Sequence, residues 1–248
     1  MYYDYHMHCD FSRDSKTPME DMIRKSIDLK LSEICFTDHS DYSILVNNIE
    51  QDHEVDYKNY LKSLEFFQNK YKKEITIKKG VEIGLQNHTI DKCIEDIKSY
   101  DFDFVIASIH TINKSDLIDR DFYKNKSQYE AYRQYYENLY NIIKKFKNYS
   151  VLGHLDLVKR YGDLNNIIDD KIFGDEIDEI LKMAIYDGKG IEINTSCFRY
   201  NMPDLTPSSY ILKRYKELGG EILTTGSDSH NPSQVAYGFE KVYPQLQH

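Results

Sequence analysis

The chain has 248 residues, with 41 Asp plus Glu against 32 Lys plus Arg and a net charge of −9 when histidines are neutral. Hydrophobic residues make up 40% and charged ones 29%, with no long single-sign block, which argues for one folded domain and against disordered, collagen-like or coiled-coil chains. The acidic balance argues against a non-specific nucleic-acid grip, which needs a basic stripe, and no run approaches the 18 apolar residues of a membrane span.

In chain order, the first predicted strand is Tyr2–His8, and it ends on His6 and His8. Side chains on a strand repeat every two residues, so these imidazoles share a face. Thr17-Pro-Met-Glu20 has the form of a capping box with Pro at the first helical position. Met22, Ile23, Ile27 and Leu31 follow at helical spacing. Strand two, Glu33–Thr37, leads into Asp38 and His39. Residues Asp41–Asp56 then read as a longer polar loop. Tyr57, Tyr60, Leu61, Leu64 and Tyr71 mark a helix, and strand three, Ile75–Ile83, carries Glu82 near its end.

Ile90, Ile94 and Ile97 mark the third helix, and strand four, Phe102–His110, ends on His110. Ser127-Gln-Tyr-Glu130 is a second capping box, opening a Tyr-rich helix to about Phe146. Strand five, Ser150–Leu157, contains His154. Ile177, Ile180, Leu181, Ala184 and Ile185 form the next helix, before strand six, Gly190–Thr195. Thr206-Pro207 opens a last helix that Gly219-Gly220 closes, and strand seven, Glu221–Gly226, precedes Asp228 and His230. Strand and helix alternate throughout, which implies parallel strands in either a barrel or an open doubly wound sheet.

The informative feature is where the ionisable residues fall. Six of nine histidines stand at or just after predicted strand ends, whereas His53, His88 and His248 read as scattered polar residues. In an α/β barrel those ends meet at one mouth, where active sites lie. Mixed His and carboxylate ligands suit Zn²⁺, Mn²⁺ or Fe²⁺, and a set without Cys argues against structural zinc. The candidates at strand ends are His6, His8, Asp38, His39, Glu82, His110, His154, Asp228 and His230, too many for one ion. Two or three ions with open positions fit a catalytic site that supplies hydroxide near neutral pH and clamps the attacked group.

Four cysteines, Cys9, Cys35, Cys93 and Cys197, form no CxxC, and the start MYYDYHMHCD lacks the basic and apolar stretches of a signal peptide. Reduced thiols in the cytoplasm are the expectation.

The order His6-Met-His8, Thr37-Asp-His-Ser40, Glu82, His110, His154 and Asp228-Ser-His230 resembles the PHP family (polymerase and histidinol phosphatase) from residue 6 to residue 230. The resemblance implies a distorted seven-stranded (β/α)7 TIM-like barrel, with residues 1–248 as a single metal-dependent phosphatase domain. It also implies an allocation of ligands. His6, His8, Glu82 and Asp228 would hold one ion. Glu82, as a bridge, would hold a second with His110 and His154. Asp14, His39 and His230 would hold a third. Glu82, Asp228 and His230 are the residues expected to carry catalysis.

Within the family, length and the segments GHLDLVKRYGD and EINTSCFRYN resemble the stand-alone histidinol-phosphate phosphatases. That likeness implies hydrolysis of a small phosphorylated substrate, L-histidinol phosphate, with no nucleic-acid or membrane partner. The alternatives are a related phosphoesterase acting on nucleotides or oligonucleotides, and a non-catalytic metal-binding regulatory module. The two segments supply Arg160 and Arg199, whose forked donors suit phosphate in a chain with 7 Arg against 25 Lys. Asp41, Glu50, Asp52 and Glu54 in the polar loop are the residues expected to face the amine and imidazole of the leaving group.

Overall fold

The computed structural model describes residues 2–46 and 49–244; His248 lies outside them, as do residues 47 and 48 of the predicted polar loop. Its strands are β1 (Tyr3–Met7), β2 (Glu33–Phe36), β3 (His39–Val46), β4 (Ile49–His53), β5 (Thr76–Gly84), β6 (Phe104–Ser108), β7 (Thr111–Ile112), β8 (Ser115–Asp116), β9 (Val151–Leu152), β10 (Gly190–Asn194) and β11 (Leu223–Gly226). The helices are α1 (Met19–Asp28), α2 (Tyr57–Tyr71), α3 (Ile90–Ser99), α4 (Gln128–Ile143), α5 (Gly174–Tyr186), α6 (Ser209–Glu217) and α7 (Phe239–Val242). Among the described residues, no helix is long and apolar enough to cross a membrane.

Seven strands run parallel in the order β1-β2-β5-β6-β9-β10-β11. The sheet nearly closes on itself, as the seven predicted strands require. At the seam the Asp228 amide donates to the His6 carbonyl (2.7 Å) and the His8 amide to the Ser229 carbonyl (2.8 Å). Below them the buried Asp4 carboxylate accepts from the Ser227 amide (2.8 Å) and the Ala236 amide (3.0 Å). One side chain from β1 thus fastens the segment that follows β11.

Four local expectations need correction. The Thr17 box does not form: Thr17 Oγ1 donates to the His230 carbonyl (3.0 Å), and Glu20 pairs with Arg24 and Lys70. Strand five stops at Leu152, because His154 takes a φ of +20°, which no strand accommodates. Ser208, not Thr206-Pro207, caps α6, accepting from the Ile211 amide. Residues Asp41–Asp56 are not a plain loop. They contain most of β3 and β4, paired antiparallel from Asp41↔His53 to Val46↔Ile49. The second box does form, with Ser127 and Glu130 bonding reciprocally at the start of α4. Beyond it Tyr132, Tyr135 and Tyr136 are buried on the core side of the helix.

The break between β2 and β3 positions the site. β2 pairs with the first half of β5, then β3 resumes beside its second half, with His39 opposite Glu82. Gly84 ends β5 where a Cβ would sit 1.7 Å from Asp41 Oδ1, so only glycine leaves room for that carboxylate.

Candidate metal centre

The nine ligands that the resemblance implies converge at the C-terminal mouth of the barrel, whereas Asp38 turns away and accepts from the Cys9 amide (2.8 Å) and Ser12 Oγ (2.7 Å). His6 and His8 come from β1 and its end, and Glu82 from the inner face of β5. Both His6 and Glu82 are fully buried. Glu82 Oε2 lies 3.1 Å from His6 Nε2, 3.6 Å from His8 Nε2 and 2.9 Å from His39 Nδ1. Its Oε1 lies 3.1 Å from His110 Nε2 and 2.8 Å from His154 Nε2. Asp228 Oδ1 is 3.5 Å from His8 Nε2 and 3.8 Å from His6 Nε2. At the rim, Asp14 Oδ2 is 3.1 Å from His230 Nε2 and 3.5 Å from His39 Nε2. His53 stays outside the cluster, against Arg13 (2.9 Å), and His88 bonds Ser43 Oγ (2.8 Å).

The donor set fits cations. His6 Nε2, His8 Nε2, His39 Nδ1 and Glu82 Oε2 are buried yet make no hydrogen bond, a costly state for a polar atom unless a cation completes it. Among the described residues, four groups place three ligand atoms within 4.8 Å of one another: His6–Glu82–His154, His6–His8–Asp228, His8–His39–His230 and His39–Asp41–His110. Electrostatics agree. Burial would raise the Glu82 carboxyl, but His6, His39 and His110 hold it well below the carboxylate range. Burial, with His230 and His39 nearby, pushes His8 down to about 3.

Several residues escaped the sequence reading as parts of this centre. Asp41 Oδ1 sits 2.8 Å from His110 Nδ1. Glu192 Oε1 sits 2.5 Å from His6 Nδ1. Ser108 Oγ donates to Glu82 Oε1 (2.6 Å). For Glu192 a signal existed: an acid in the middle of the strand Gly-Ile-Glu-Ile-Asn, which is buried throughout.

The cluster floors a cavity of about 330 Å³ whose wall includes Arg13, Asp116, Arg160, Tyr161, Arg199 and Tyr200. Arg160 is buried over the Tyr200 ring, 4.4 Å from its centroid, donates to Ser196 Oγ (2.5 Å), and keeps a buried Nε without a partner. Arg199 differs: its two terminal nitrogens donate to the Ser227 (2.6 Å) and Asp228 (2.7 Å) carbonyls. Of the four acids expected to meet the leaving group, Asp41 alone lines the cavity. Glu50 pairs with Lys114, and Asp52 and Glu54 pair with Lys92.

The PHP domain matches residues 4–196 of the chain. A histidinol-phosphatase of Lactococcus lactis is 34% identical over 229 residues, covering 92% of this chain and 83% of that one. A probable histidinol-phosphatase of Clostridium acetobutylicum is 32% identical, covering 97% and 91%. The crystal structure of the Lactococcus lactis histidinol phosphate phosphatase, complexed with zinc, L-histidinol and phosphate, superimposes with a TM-score of 0.91 at 32% identity, over 99% of this chain and 92% of that one. With the family's domain matched over most of its length, and its ligand order gathered at one barrel mouth, this chain belongs to the PHP family.

Proposed function

We propose that the chain is a metal-dependent phosphomonoesterase that hydrolyses L-histidinol phosphate to L-histidinol and inorganic phosphate, a step of histidine biosynthesis. The observation that carries this reading is the convergence of His6, His8, Glu82, His110, His154 and Asp228 beneath one cavity, in a chain whose relatives bear that name. Strands from both ends of the sequence close the same barrel, which supports reading residues 1–248 as one phosphatase domain. Four buried, unpaired cysteines support a cytoplasmic location.

Two or three divalent transition ions, Zn²⁺, Mn²⁺ or Fe²⁺, are assigned to the centre. His6, His8, Glu82 and Asp228 would hold one, Glu82, His110 and His154 the second, and Asp14, His39 and His230 the third. The two oxygens of Glu82 face different sets of imidazoles, which supports its bridging role. When bound, such ions supply an activated water and Lewis-acid stabilisation of the phosphoryl oxygens.

The remaining work falls to the chain. Glu82 and Asp228 set the spacing of the centre, and His230 stands at its rim. Arg160 presents a preorganised guanidinium to the phosphate from a buried position, where such a donor acts most strongly. A phosphatase panel containing histidinol phosphate, nucleotides, sugar phosphates and an oligonucleotide, run on enzyme of known metal content, tests the reading. Histidinol phosphate is expected to show the highest kcat/KM. A preference for the oligonucleotide, falling steeply with salt, would overturn it.

A further inference from the structure

Glu192 lies on β10, 1% exposed, and is not itself among the residues that gather as ligand groups. A buried carboxylate is costly unless its lone pairs are met. Here they are met by three groups from three places. Oε1 is 2.5 Å from His6 Nδ1, on β1. Oε2 accepts from the His154 backbone amide (2.9 Å), just beyond β9. Oε2 also accepts from Asn194 Nδ2 (3.2 Å), and that amide lies 3.3 Å from Asp228 Oδ2.

Gly226 leaves room for this side chain. At Gly226 on β11, a Cβ would stand 2.2 Å from Glu192 Oε1 and 2.3 Å from the His6 Cβ. Gly153, after β9, is required by other neighbours, since a Cβ there would strike Ser108 Oγ at 2.5 Å and Ile106 at 2.6 Å but meet Glu192 Oε2 only at an ordinary 3.7 Å. His154 meanwhile holds a φ of +20°, a conformation that a side-chain-bearing residue keeps only under outside constraint. The Glu192 bond to its amide supplies part of that constraint.

The geometry points to Glu192 as a positioning residue that sets two metal positions at once, through the ring of His6 and the backbone of His154. An imidazole whose Nδ1–H donates to a carboxylate has its tautomer fixed and turns its Nε2 lone pair toward the ion. For His6 that lone pair faces Glu82 and Asp228. For His154 the carboxylate fixes where the ring begins, so that Nε2 meets the other oxygen of Glu82. The third group, Asp14–His39–His230, makes none of these contacts. The inference rests on the ligand allocation proposed above, and deepens it: the first and second ions are spaced by one shared carboxylate behind them, as well as by Glu82 between them.

The test is chelator competition on the zinc-loaded chain, comparing the parent with Glu192→Gln and with Asp41→Asn, whose carboxylate serves His110. Glu192→Gln is expected to weaken two zinc positions by about 10- to 100-fold, the range for loss of such an outer partner, and to leave the third within about threefold. Asp41→Asn, whose carboxylate also lies 3.8 Å from His39 Nδ1, is expected to weaken the positions that His110 and His39 hold and to spare the first. Glu192→Asp keeps the charge but loses the reach needed to span His6 and His154, and carries the same expectation should the Gln variant not fold. Unchanged zinc retention in the Glu192 variants, or equal weakening of every position, would overturn the inference. Failure of the parent to bind zinc would overturn it together with the metal assignment. A parent that binds zinc normally but ignores histidinol phosphate would sink the substrate reading alone.

Discussion

Arg160 and Arg199 line the same cavity but direct their donors differently. Arg160 keeps an unpartnered Nε and approaches Asp228 Oδ2 through Nη1 (3.6 Å), whereas Arg199 ties down the carbonyls of Ser227 and Asp228. Asp228 has a φ of +54°, a left-handed conformation that few residues besides Gly, Asn and Asp adopt, and those bonds hold its backbone in place. Arg160→Lys is therefore expected to lower kcat/KM at least about tenfold and to weaken inhibition by inorganic phosphate, with metal content unchanged. Arg199→Lys is expected to reduce metal content as well, because Lys cannot donate to two carbonyls in a fixed fork. Steady-state kinetics with elemental analysis separates the two. Glu82→Gln, which removes a charge shared by several imidazoles, is expected to damage activity far more than His53→Ala at matched zinc loading. Comparable activity in both would reject the role assigned to Glu82.

The elements show where sequence reading stops. Seven strands were legible from β-branched content between turns, and all but β11 also bury apolar residues. The hairpin of β3 and β4 was not, since β4 pairs with β3 alone and is half exposed, leaving no apolar alternation to see. A register shift between Asp41 and Ile44, with Ser43 at a φ of +57°, further breaks the period. Eight of the nine proposed ligands drew notice from their place at or near strand ends and Asp14 from the family resemblance; Glu192 was missed because it sits inside a strand and not at its end. Thr17-Glu20 and Ser127-Glu130 share one pattern, and only the second caps a helix, because the His230 carbonyl captures Thr17. Ser127→Ala should cost about 1 kcal/mol, lowering Tm by about 2–4 °C with kinetics unchanged; thermal melts check this. Gly84→Ala should push Asp41 away from His110 and weaken zinc binding roughly tenfold by chelator competition, since the added methyl would overlap the carboxylate.

Across the whole molecule, metal loading and protonation are linked. In the metal-free chain burial disfavours a charged His6, His39 or His110, but Glu192, Glu82, Asp14 and Asp41 outweigh it. His110 is raised to about 10 and the other two stand well above the ordinary 6.5. The stabilisation this lends the metal-free fold is complete below 6.5 and is lost as pH rises toward about 10. Ligation needs the neutral ring, so loading at pH 7 is expected to expel a proton from each of the three, and zinc affinity to tighten as pH rises. His8, already neutral, contributes none. Calorimetric titration with zinc in two buffers of different ionisation enthalpy measures the release; identical heats in both would contradict it.

The seam between β1 and β11 has a consequence in time. His6 and His8 leave the ribosome first, while Asp228 and His230 emerge more than two hundred residues later, and the two sets meet only when the closing strand docks beside the opening one. A nascent chain thus carries seven of the nine assigned ligands yet lacks Asp228, without which the first ion is not held as assigned. Cutting at the exposed turn around Gly188 would leave two inert fragments, and mixing them would offer a direct readout of barrel closure: phosphatase activity returning only as the halves reunite.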